Sequence, residues 1–166
     1  MNADAFRHFY NYHISENRKL WNEYIALLSQ EQFLAVDKYS KGSIRNQVVH
    51  MIEVDDTWFK GLQGSNDQSG IELDGMDDRK ILRTCWDNVE QNMRAFLEKL
   101  QDNMLFNKPF EEGEDKDLIL WQVLLQVVNH GTDHRAQILR SLNNLGYKTV
   151  SQDYIFYTYE NPWKTV

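Results

Sequence analysis

Two histidines, His130 and His134, stand four residues apart in the segment NHGTDHRAQ. On a helix this spacing places both imidazoles on one face, one turn above the other, close enough to hold a single metal ion. At about 100° per residue they align with Ile119, Val123 and Val127, on the face that should look into a bundle. An imidazole on such a face needs a partner. Either a metal ion takes the pair, or hydrogen bonds satisfy two core histidines. Asp133, beside them, points outward. A metal site also needs a third ligand, and the remaining histidines are His8, His13 and His50. Cys85 is the sole cysteine; it can form neither an internal disulfide nor a thiolate cage and reads as a core filler. His50 falls at the polar edge of the apolar arc of VVHMIEVDDTW, and His13 lies nearer the centre of its own stripe. The residues themselves leave the choice between them open.

The elements that must carry these groups are helical. Long stretches between glycines repeat apolar residues at three and four positions, and prolines occur at Pro109 and Pro162 alone. The expected fold class is therefore all-α. A first helix spans about Ala3 to Leu28 on Phe6, Phe9, Tyr10, Leu20, Trp21 and Tyr24. Ser29 caps a short turn through Phe33. Ser43 caps a second long helix to about Gly61. From Gln63 to Gly75 the chain is polar and glycine-bearing, and it is expected to be a long exposed connection that crosses over the bundle. A third helix runs from about Asp77 to Asp102. MLFNKPFEEGEDK is too interrupted for helix and reads as a loop or a short β-hairpin turning at Glu112 and Gly113. Asp117 is expected to cap the fourth helix, which is apolar around most of its circumference until Gly146 ends it. The whole of 1–166 is expected to be one four-helix-bundle domain.

Composition limits what such a bundle can do. Eighteen Lys plus Arg against twenty-five Asp plus Glu give a net charge of -7 with the basic residues scattered, which argues against nucleic-acid binding. No apolar run reaches the roughly 18 residues of a membrane span, and the first residues have no signal-peptide pattern, so the expected location is the cytoplasm. Five Trp, eight Tyr and eight Phe are more ring surface than a bundle of 166 residues needs to bury alone, which points to a homodimer. The tail rings, Tyr154 to Trp163, should pack on the bundle.

Other polar groups have two readings each. Asn17 and His13 either line the mouth of a metal cavity or hydrogen-bond across the bundle, with the second favoured. Arg135 either steers an anionic cofactor or pairs with an acid such as Glu53. Asp55 falls near the middle of an apolar arc, so it is a buried acid with a partner or a sign that the arc is rotated. Trp58 and Trp121 read as core or dimer contacts. The acidic runs EEGEDKD and ELDGMDD read as solvated loops.

The pattern N-H-x-x-x-H-R-x-Q in NHGTDHRAQ after LLQVV, and G-S-I-x-x-x-V-x-H in GSIRNQVVH followed eight residues later by Trp58, resemble the DinB/YfiT-like family of four-helix-bundle proteins. The opening FYNYHISENRKLW and the tail DYIFY fall in the same order, so the resemblance covers nearly the whole chain. It implies that His50, His130 and His134 bind one divalent metal, zinc or nickel foremost. Relatives often carry a further histidine where Asp133 stands here. The resemblance also implies an enzyme acting on a small molecule. The expected reaction is transfer by a low-molecular-weight-thiol-dependent S-transferase, using a thiol such as bacillithiol, or hydrolysis. The alternative is a non-catalytic metal-binding protein of the stress response.

Overall fold

The computed structural model describes residues 2–65 and 75–163. The elements are α1 (Ala3–Glu23), a 3-10 turn (Ile25–Leu27), α2 (Gln30–Leu34), α3 (Ile44–Leu62), α4 (Arg79–Lys99), a second 3-10 turn (Asp102–Met104), α5 (Leu120–Asn144) and α6 (Tyr154–Glu160). No strand occurs among the described residues. None of their helices is long and apolar enough to cross a membrane.

Side-chain caps start the helices where small polar residues precede apolar stripes. Asn2 accepts from the Ala5 amide at 2.9 Å, Ser43 from Asn46 at 3.0 Å and Asp78 from Lys80 at 2.7 Å. Ser29 and Gln32 form a reciprocal capping box at the head of α2. The fourth long helix departs from expectation. Asp117 does not cap it, because its carboxylate is taken by the Lys108 ammonium at 2.7 Å. The helix begins at Leu120, with the Gln122 side chain accepting from the Ile119 amide at 3.0 Å. Upstream, the chain is a loop and not a hairpin. The amides of Leu120 and Trp121 donate to the carbonyls of Asn107 and Leu105 at 2.9 and 3.0 Å, so the loop is pinned to the helix start and not to a partner strand. At the other end Gly146, with φ +90°, ends α5.

Four long helices bury their stripes against one another in a ring: α1 packs on α4 and α5, and α3 packs on α4 and α5. The chain therefore sets α1 and α3, and likewise α4 and α5, across the diagonals. The crossover expected over 63–75 falls largely outside the described residues. The core is aromatic at its heart, with Phe6, Tyr10, Phe33 and Phe59 each at most 1% exposed. Trp58 packs against its edge, 5.9 Å from the Phe110 ring. On α5, Val123, Leu124, Val127, Val128, Ile138 and Leu142 are all fully buried. The tail docks only in part: Tyr12 donates to the Gln152 carbonyl at 2.8 Å and Tyr157 is buried against His8 and Tyr12, whereas Phe156, Tyr159 and Trp163, expected to pack on the bundle, stay exposed. For the site, the consequence is the packing of α3 on α5.

Candidate metal centre

That packing brings His50 of α3 to the pair on α5. The rings of His50, His130 and His134 lie 4.3 to 5.0 Å apart, centre to centre. One ring nitrogen from each falls within 4.8 Å of the other two. Of the three histidines left open by the sequence, His50 is the one gathered here. His8 lies among the tail rings, 5.4 Å from both Tyr157 and Trp163. His13 is fully buried elsewhere on α1.

The three imidazoles are set up as neutral lone-pair donors. Burial lowers the pKa of each. For His50 it falls to about 4, with the Lys41 charge and then the other two imidazoles adding to the effect. Gln47 fixes a tautomer: its Oε1 can only accept, and it receives Nδ1–H of His134 at 2.6 Å, leaving the other ring nitrogen with its lone pair. Behind it, Gln47 donates to Gln137 at 3.0 Å and Gln137 to Asp133 at 2.8 Å, so an exposed carboxylate is tied through two amides to the ring. His50 and His130 face each other through Nε2 at 3.2 Å. Two nitrogens on one tetrahedral ion with bonds of roughly 2.0–2.1 Å stand about 3.3 Å apart. The donor set therefore fits a borderline divalent ion.

Hydrogen bonding alone does not complete the cluster. His130 Nδ1 is buried and has no hydrogen-bond partner. A single Nε2–H to Nε2 bond between His50 and His130 satisfies one donor and one acceptor and leaves that atom orphaned, at a cost of about 1–3 kcal/mol.

One residue along α5 lies a second polar group, and it is complete. Arg135 is fully buried. It does not pair with Glu53 or another acid, and instead donates to Gln152 at 3.0 Å, Thr132 at 3.0 Å, Asn17 Oδ1 at 2.9 Å and His13 Nδ1 at 3.1 Å. A guanidinium has no acceptor, so His13 Nδ1 carries no proton and Nε2–H points to Asp55 Oδ2, 3.3 Å away, with Asn17 Nδ2, itself a donor, 3.2 Å from the same nitrogen. Asp55 is thus a buried acid with a partner. His13 and Asn17, weighed as lining for the mouth of a cavity, sit inside this network at 0 and 4% exposure. Gly131 makes room for it: a Cβ there would stand 2.3 Å from His13 Cε1. Asp55 also reaches the cluster, because its charge raises the His130 pKa against the larger lowering by burial.

The model of the DinB family matches residues 1–165. The chain belongs to the DinB family. It is also similar to Protein DinB of Bacillus subtilis (strain 168), 24% identical over 167 residues, with 96% of each chain covered. Three histidines gathered from α3 and α5 are thus the candidate metal centre of a DinB-family bundle. Sequence reasoning missed Gln47, although it lies one helical turn before His50 on the same face. It also missed Gly131, whose signal was a glycine in the middle of an otherwise regular helix.

Proposed function

We propose that His50, His130 and His134 hold one divalent metal ion, zinc or nickel foremost, and that the protein is a metal-dependent enzyme acting on a small molecule. The observation that carries the reading is the convergence of the three rings. Three neutral imidazoles from α3 and α5 converge so that one ring nitrogen of each lies within 4.8 Å of the other two, an arrangement that core packing does not ask for and that a cation satisfies. Three protein ligands leave such an ion open positions, where it acts as a Lewis acid and favours the deprotonated form of a water or thiol.

The chain's own residues do the positioning. Gln47 holds the His134 ring in one tautomer, and α3 and α5 set the spacing of the nitrogens. The Arg135, His13 and Asp55 network keeps α1 and α3 in register with α5. In reaction class we propose transfer of a low-molecular-weight thiol, such as bacillithiol, to an electrophilic acceptor, with hydrolysis as the alternative chemistry of the same site. The location proposed is the cytoplasm. The assembly proposed is a homodimer, on account of the exposed tail residues Phe156, Tyr159 and Trp163, at 50, 73 and 45%.

A second reading, a metal-binding protein without catalysis, has one observation in its favour. A cavity of about 500 Å³ is lined by Phe9, Tyr12, Trp121, Leu125 and Tyr154 among others, on a different flank of α5 from the histidines. Elemental analysis of the purified protein, followed by a screen of thiols against electrophilic acceptors, separates the outcomes. One equivalent of metal with thiol turnover supports the enzyme. One equivalent with no turnover supports the second reading, and no metal overturns both.

A further inference from the structure

Asp133 is exposed and is no part of the three-ring cluster, yet a chain of three hydrogen bonds joins it to one of the rings. Gln137, one turn further along α5, donates Nε2 to Asp133 Oδ2 at 2.8 Å. Its Oε1 accepts from Nε2 of Gln47 on α3 at 3.0 Å, and Gln47 Oε1 lies 2.6 Å from His134 Nδ1. The direction of this chain is set at its exposed end. A carboxylate accepts and has no hydrogen to give, so Gln137 must turn its NH2 toward Asp133. Its oxygen then faces Gln47, whose own NH2 must turn to meet it. That leaves the Gln47 oxygen toward the ring, and His134 Nδ1 must carry the proton. Among the described residues no other side-chain hydrogen bond orients either amide. Reversed, the same two amides would point an NH2 at Nδ1 and move the ring's proton onto Nε2, the nitrogen left to the cluster. An amide at position 133 permits that reversal; a carboxylate forbids it.

We propose that Asp133 is a positioning residue of the three-histidine site: through Gln137 and Gln47 it imposes the Nδ1–H tautomer on His134 and so presents the lone pair of Nε2 to the cluster. This rests on the metal-dependent reading above and adds to it the residue that selects the ligand atom. An exposed side chain acts on a buried ring because each amide passes on its direction and not a charge. Gln47, at 3% exposure, keeps water from breaking the chain at the ring end.

The test reads two quantities in wild type, Asp133→Asn, Gln47→Leu and the double variant Asp133→Asn with Gln137→Glu. One is the His134 tautomer, by nitrogen-15 NMR of the metal-free protein near pH 8, where the rings are neutral. The other is the zinc Kd, by competition with a chromophoric chelator. Wild type should show the Nδ1–H form of His134 alone. Asp133→Asn opens both directions, so the two tautomers should appear in comparable amounts and the zinc Kd should weaken about twofold, by the share of the wrong one. Gln47→Leu removes the acceptor and should weaken it about tenfold. The double variant moves the carboxylate one step inward, where it accepts from Gln47 and restores the direction, so tautomer and Kd should return to wild type. A merely structural role for Asp133 gives no such rescue. Each exchange is close to isosteric, and circular dichroism checks that the variants fold. Wild-type His134 in the Nε2–H form, a pure Nδ1–H form in Asp133→Asn, wild-type zinc affinity in Gln47→Leu, or a tautomer mixture that the double variant keeps, each overturns the proposal. A wild type that takes up no zinc overturns the metal reading, and the metal-free spectra still decide whether Asp133 sets the tautomer.

Discussion

The pairs His130/His134 and Gly131/Arg135 are the same helical spacing shifted by one residue along α5, and they meet opposite surroundings. The Gly131/Arg135 side is closed: the guanidinium reaches four residues through short hydrogen bonds, His13 has one tautomer, and Asp55 has its donor. The His130/His134 side is open, with three neutral rings, one tautomer fixed by Gln47 and a buried nitrogen with nothing to bond. Both are polar groups in an apolar bundle, so polarity does not distinguish a structural device from a site. Completeness does. A network that satisfies itself holds helices together; one whose neutral ring nitrogens converge is arranged for a cation.

Breaking the closed side should have the largest effect on folding. Arg135→Leu removes the cation facing Asp55 through His13 and strands a buried carboxylate, at a cost of about 3–5 kcal/mol. Adding Asp55→Asn should return part of that loss, because the two residues act through one imidazole. Urea denaturation of the two single variants and the double variant checks this; strictly additive losses would mean that the relay through His13 carries no coupling.

The open side should respond in metal content and far less in folding. Zinc at a hundred times its Kd should stabilise the protein by about 2.7 kcal/mol, seen as a rise in Tm. His50→Ala, His130→Ala and His134→Ala should each lose that rise and the bound equivalent, yet keep their helical circular dichroism, since the apolar stripes supply most of the burial. His13→Ala should keep the metal. If His50→Ala kept a full equivalent while His13→Ala lost it, the third ligand would be His13.

The closed side also holds Gly131, where an ordinary rule should reverse. A glycine inside a helix normally gains about 0.5–1 kcal/mol on replacement by alanine. Here the new methyl would drive into the His13 ring, at 2.3 Å from Cε1 and 2.9 Å from Nδ1. The ring cannot give way without breaking its bonds to Arg135 and Asp55, so Gly131→Ala should destabilise by about 1–3 kcal/mol. A raised Tm in that variant would show the network to be loose.

Much of this was legible in the sequence, for identifiable reasons. Apolar stripes and the caps at Ser29 and Ser43 are local signals, and they give α1 to α5 to within a few residues. The i, i+4 histidine pair is local too. What failed was non-local. Asp117 has the chemistry of a cap, but Lys108, nine residues away, takes its carboxylate first. Arg135 reads from the sequence as steering an anionic cofactor or pairing with an acid, and no wheel shows that Asn17 and His13 of α1 arrive opposite it. The third histidine stayed open because His13 and His50 both lie on stripes, and the packing of α3 on α5 is what gathers one and not the other. Family resemblance chose His50 before any geometry was available.

The smallest effect, and the one that most cleanly reads the open side alone, is on pH dependence. Burial first, then Lys41 and the neighbouring rings, lower the His50 pKa to about 4, and the shifts at His130 and His134 have the same direction. An unfolded histidine titrates near 6.5. Between these values the unfolded chain binds more protons than the folded one, so stability rises with pH across that window. The histidine contribution is therefore complete above about pH 6.5 and is lost as pH falls toward 4, in steps that belong to the three coupled rings together. In metal-free protein the urea midpoint should drop over this range, and His50→Gln should flatten the drop. Bound zinc should steepen it, because only deprotonated rings hold the ion. A midpoint that is equally steep in wild type and His50→Gln would place the proton uptake elsewhere in the molecule and remove the evidence that these rings are neutral by construction.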